Sequence, residues 1–250
     1  MKNVIRNTIL GTALCALPVA HATVVEFQTS QGTFEVNLFD NTTPKTVENF
    51  LKYVNAERYS NSQIHRVVTG FVVQGGGIKF DANDDQVAIE TFPAVVNEPK
   101  LSNVKGTIAM AKTPGDANSA TSQWFFNLTD NSANLDLQNG GFTVFGQVTG
   151  NGMQVIETIA SQSRCGEVPV VNVSTTQCAD PTFDFGSEHA VMVYSVSVLD
   201  DDPNSANSLS PKANTLINQT NEIGGESSSG GSIGFIAGIL LAFSAVRRKR

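Results

Sequence analysis

The run from Ile64 to Gly77, IHRVVTGFVVQGGG, holds the side chains of this 250-residue chain best placed to do chemistry. Arg66 stands five residues before Phe71 and eight before Gln74, with apolar residues between them and three glycines behind. Side chains two apart share a face of a strand, so Arg66 and Phe71, an odd number apart, cannot share one face of a continuous strand. Thr69-Gly70 supplies a bend that brings them together. A cation, an aromatic floor and an amide then line one shallow groove. The guanidinium is always charged and carries five donors in a rigid fork. Such a groove offers a cation, an aromatic surface and an amide to one ligand.

The elements that must position these groups read as mostly short strands. Residues 23–30 and 33–39 are β-rich and meet at Gln31-Gly32, which predicts a hairpin. Thr43-Pro44 opens a helix over 44–56, with threonine as cap and Val47, Phe50, Leu51 and Val54 at helical spacing. A second amphipathic helix is predicted over 150–161 through Met153, Ile156 and Ile159, and a last strand over 189–199. Many short strands with two helices suggest a mainly β fold, an antiparallel barrel closed so that no edge is left exposed.

Three further blocks follow the first in order: GTIAMA at 106–111, TSQWFFNL at 121–128 and FTVFGQV at 142–148. Together they resemble the cyclophilin family of peptidyl-prolyl cis/trans isomerases, most closely its bacterial branch, from about Val24 to Leu199. The resemblance implies a closed eight-stranded antiparallel barrel capped by two α-helices. It implies an enzyme that speeds X-Pro bond rotation in proline-containing polypeptides, with no cofactor and no metal. Arg66, Phe71 and Gln74 match the family's catalytic positions. Phe71, Met110, Phe125 and Leu135 match a proline-ring pocket, Ala111, Lys112 and Gln123 the groove for residues before proline, and Val72 and Phe142 are further substrate-binding positions. Phe142 stands where many eukaryotic members carry histidine, and Asn134 where cyclosporin-sensitive members carry tryptophan. Singly, Arg66 reads as a surface charge, Phe71 and Phe125 as barrel core, and Gln74 as a turn residue; their joint spacing reverses that. Two alternatives remain: a module that binds proline peptides without turnover, and a surface-displayed interaction protein.

The two ends of the chain read as addresses. Lys2 and Arg6, an apolar run over 9–20 and Ala20-His21-Ala22 make residues 1–22 a secretory signal for signal peptidase. Export leaves Cys165 and Cys178, an even pair that suggests a disulfide, two free thiols being the alternative. Both lie in residues 162–188, which read as a surface loop inserted between the last helix and the last strand of the 23–199 domain. The formal charge is −7; the leader contributes +2 and the last four residues +4, which leaves −13 over 23–246 and disfavours nucleic acid and anionic membranes. Residues 200–232, rich in Asn, Ser, Gly and Asp, read as a flexible linker. Residues 233–250 form an apolar run with a basic end, the membrane-contacting part. With the glycines before it, this end resembles GlyGly-CTERM sorting tails, which a rhomboid-type protease removes; a permanent tail anchor is the alternative. The resulting expectation is a monomer in the periplasm or on the surface of a Gram-negative bacterium, held for a time at the inner membrane.

Overall fold

Gln31 and Gly32 turn the chain between β1 (Val24–Thr29) and β2 (Gly32–Leu38), which pair antiparallel without a register break. The computed structural model describes residues 23–200 and 205–218. The leader expected over 1–22, the sorting tail expected over 233–250 and, of the expected linker, residues 201–204 and 219–232 lie outside the described residues. After β2 come α1 (Pro44–Asn55), β3 (Ser62–Gln63), β4 (Arg66–Val68), β5 (Val72–Gly75), β6 (Ile78–Phe80) and β7 (Gln86–Ala88). There follow β8 (Thr107–Met110), β9 (Trp124–Asn127), α2 (Ser132–Leu135), β10 (Val144–Val148) and α3 (Gly152–Ala160). The remainder is β11 (Arg164–Cys165), β12 (Val168–Pro169), α4 (Thr175–Ala179) and β13 (Met192–Asp200).

The main sheet runs β4-β5-β9-β8-β10-β2-β1-β13-β3-β6-β7. Its pairs are antiparallel throughout, which makes the protein mainly β, as expected. β3 and β4 are two halves of the single run 62–68: the first half pairs with β13 and the second with β5. The strongly curled sheet therefore returns to its own start, and with that run counted once the ring holds eight strands. β6 and β7 extend from it as a flap.

The side of the ring that faces inward is filled with aromatics. Phe27 stacks on Phe34 at 5.0 Å and meets Trp124 edge-on at 5.2 Å. Val73, Ile108, Met110, Trp124 and Phe126 join this core; from α1 come Val47 and Phe50, and from α3 Ile156 and Ile159. Among the described residues no helix is long and apolar enough to cross a membrane.

Two local expectations need correction. Thr43 does not cap α1 with its side chain. Glu98, far away in sequence, accepts from Thr46 N and Thr46 Oγ1, both at 2.9 Å, and so satisfies a free amide of the first turn. Nor is the whole of 200–232 a loose linker. Ala213 bridges Leu101, Leu209 packs on the outer apolar cluster, and Asn214 is buried against Asp136.

Candidate functional site

Strand parity builds the site on the outer face of the ring. Val73, Ile108, Met110, Trp124 and Phe126 point into the core, so their neighbours Val72, Gln74, Ala109, Ala111 and Phe125 project the other way. Val72, Ala109, Ala111 and Phe125 join Leu135, Phe142 and Val144 in a second apolar cluster, with Phe71 packed against it and partly exposed. Phe125 meets Phe142 edge-on at 5.8 Å. Met110 is a correction: it faces the core and cannot line this pocket.

The bend at Thr69-Gly70 forms as expected. Gly70 has φ +66°, Phe71 N donates to Val68 O, and the hairpin sets Arg66 opposite Gln74. Arg66 Nη1 then donates to Gln74 Oε1 at 3.3 Å, and Gln74 Nε2 to Gln123 Oε1 at 2.9 Å. Gln74 in turn lies opposite Phe125 in the β5–β9 ladder. The cation, the amide and the aromatic wall thus share one face. The glycines behind Gln74 are forced by Trp124: a Cβ on Gly75 would sit 2.5 Å from its ring. Gly76 adds a φ of +76°, which glycine adopts without strain.

Lys112 does not reach into an open groove. Its Nζ donates to the carbonyls of Asn139 at 2.8 Å and Gly141 at 2.6 Å, and lies over the Phe142 ring. Burial lowers its pKa to about 8. His65, beside Arg66, is pushed down to about 4 by burial first, with the Arg66 charge adding to it. Its Nδ1 is buried without a partner.

Sequence reasoning missed the polar scaffold beneath the pocket. Asp136, 1% exposed, accepts from Ser102 Oγ, Asn103 N and Asn103 Nδ2. Asn103 also donates to Phe142 O, while Asn127 donates to Asn103 and Asn131 donates to Asn127 and to Phe71 O. Five buried side chains from two stretches, 102–103 and 127–136, therefore fix the backbone at Phe71 and Phe142, on both sides of the apolar cluster. Satisfied buried networks of this kind rigidify what they touch. No local signal pointed to it, because asparagines such as Asn131 in the run TDNSAN read as turn residues.

Glu167 was also missed. The insert carries the expected disulfide, with Cα atoms of Cys165 and Cys178 5.3 Å apart, within the usual range. It is not a detached excursion: Glu167 O accepts from Val67 N at 2.7 Å, and its Oε2 takes Arg66 Nε at 2.7 Å. A cavity of about 150 Å³, lined in part by His65, Gln63, Cys165 and Phe185, marks the seam between insert and barrel.

The arrangement sets partly exposed Phe71 against a buried apolar wall of Phe125 and Leu135, with the bonded Arg66 cation on the same face. Comparison with known proteins agrees. The family model described as cyclophilin type peptidyl-prolyl cis-trans isomerase/CLD matches residues 24–180. The chain is 38% identical over 180 residues to peptidyl-prolyl cis-trans isomerase A of Dickeya dadantii, covering 69% of this chain and 91% of that one. It is 38% identical to a peptidyl-prolyl cis-trans isomerase of Acinetobacter baylyi, covering 61% and 80%. Among solved structures, a cyclophilin type isomerase of Cryptosporidium parvum superposes with a TM-score of 0.51 at 19% identity, covering 72% of this chain and 99% of that one.

Proposed function

We infer the working of this site from one premise: the chain belongs to the cyclophilin-type peptidyl-prolyl cis-trans isomerase family. Rotation about an X-Pro bond meets a barrier of about 18–20 kcal/mol set by amide resonance. As the bond twists, the prolyl nitrogen becomes pyramidal and gains a lone pair. A donor aimed at that lone pair favours the twisted form over both planar ones, which is differential binding of the transition state. An acceleration of about 10⁵ requires about 7 kcal/mol.

In this reading Arg66 is the donor. Phe71, Val72, Phe125, Leu135 and Phe142 hold the proline ring, while Gln74 and Gln123 hold the substrate backbone and orient the guanidinium. The observation that carries it is the bonded row Arg66–Gln74–Gln123 beside the outer apolar cluster. Arg66→Ala is expected to lower kcat/KM on an X-Pro peptide by roughly 10²–10³-fold, with little change in peptide affinity. Equal rates for the two proteins would remove Arg66 from the mechanism.

The same reading places the enzyme outside the cytoplasm of a Gram-negative bacterium, as a monomer that helps exported proteins fold. The leader over 1–22 and the disulfide-forming pair support it, since disulfides persist in oxidising compartments. The glycines at 224–231, the apolar run over 233–246 and the basic end support a sorting tail that is cut in the inner membrane. The intact mass of the protein taken from the cell envelope tests this. A chain that begins at Thr23 and lacks its last residues agrees, and a full-length chain with two free thiols rejects it.

A further inference from the structure

We propose that Glu167 is a positioning residue for Arg66, presented to it by the disulfide-closed insert. This rests on the reading of Arg66 as the rotation-assisting cation. The insert meets the barrel at a free strand edge. β5 covers one edge of β4, and the turn between β11 and β12 covers the other through Val67 N and Glu167 O. At that turn Gly166 has φ +65°, and the neighbouring Cys165 is tied to Cys178. One residue therefore makes two bonds to adjacent residues of β4: its carbonyl takes the Val67 amide, and its carboxylate takes Arg66 Nε.

The consequence for the guanidinium is geometric. Arginine is a long side chain that loses much rotamer freedom when it is held in place. Here Nε is engaged by Glu167 and Nη1 by Gln74, from opposite sides of the hairpin. Among the described residues Nη2 has no partner. Two of the three nitrogens are fixed, and the third is left for a substrate atom. Gln74 alone, at 3.3 Å through one terminal nitrogen, leaves the plane of the fork free to turn. The carboxylate at 2.7 Å on Nε removes that freedom. Glu167 stays more than half exposed, so solvent screens its charge and the cation keeps its pull on a lone pair.

Glu167→Ala and Glu167→Gln separate position from charge. Glutamine keeps an oxygen for Nε, and alanine does not. On a saturating X-Pro peptide, Glu167→Ala is expected to lower kcat roughly tenfold with KM nearly unchanged, since small misplacements of a reacting group are costly. Glu167→Gln should recover most of that loss. In nitrogen-15 spectra the Arg66 Nε–H should exchange slowly with water in the wild type and in Glu167→Gln, and be lost by exchange in Glu167→Ala. An unchanged or higher kcat in Glu167→Ala overturns the proposal. So does a protected Nε–H signal in that variant, which is readable without any activity. Arg66→Ala distinguishes the two levels. If it keeps wild-type turnover, the reading of Arg66 fails. If it loses turnover while Glu167→Ala does not, only the role of Glu167 fails.

Discussion

At Asn134 the difference from cyclosporin-sensitive relatives is a single side chain. The ring wall and indole donor that the resemblance assigns to that position are replaced by a short amide, one residue before Leu135. Cyclosporin is expected to inhibit weakly while X-Pro turnover is kept; a nanomolar inhibition constant would contradict this, and Asn134→Trp should tighten binding. Gly75 is as sharply constrained. Gly75→Ala drives a methyl into Trp124 and should destabilise the fold by about 1–3 kcal/mol in urea titrations. His65 gives the pH dependence. Its folded pKa, about 4, lies below the ordinary 6.5, so between those values the unfolded chain binds more protons. The stability it contributes is present above pH 6.5 and drains away as the pH falls toward about 4. His65→Gln should flatten that part of a Tm-against-pH curve. Residues in strand register with Arg66 were legible from spacing. Met110 was misplaced because a family match carries residue positions, whereas parity along β8 decides which face each one serves.

Elements were legible where their signals were local. The first hairpin, α1, α3 and the last strand follow from turn residues and periodicity, and lie within a few residues of their expected bounds. Their terminal bonds were not legible. The start of α1 is satisfied by Glu98, fifty-two residues from Thr46, and no window of sequence around Thr43 contains it. Glu98→Ala should cost about 1–2 kcal/mol, as loss of a helix cap does, seen as a lower Tm at unchanged X-Pro turnover. The insert follows the same rule. Its cysteines announced a staple, but which barrel strand its tip would meet depends on three-dimensional closure.

On the scale of the whole molecule, composition misjudged one segment. An Asn- and Ser-rich stretch reads as too polar to order itself, yet over 205–218 the backbone bridge between Leu101 and Ala213 and three side chains tie it to the barrel. Leu209 finds apolar cover, Lys212 pairs with Asp130, and Asn214 both donates to Asp136 O and accepts from the amides of Leu216 and Ile217. A chain ended at Asp200 should melt at least about 3 °C below one ended at Asn218, because Leu101 is uncovered and Asp136 loses a donor. Equal melting temperatures would mean that the segment adds nothing.

β1 lies hydrogen-bonded to β13, Val25 opposite Val198 and Thr29 opposite Val193. A ribosome delivers the first of these strands long before the last. Until nearly all of the domain has emerged, β1 has one bare edge and the ring cannot close. Topologies that join distant stretches fold in about milliseconds to seconds, because loop entropy must be met before the contacts form. The growing polypeptide is thus left without a closed ring for nearly the whole of its synthesis, and the arrival of its final strand is the event that ends that interval.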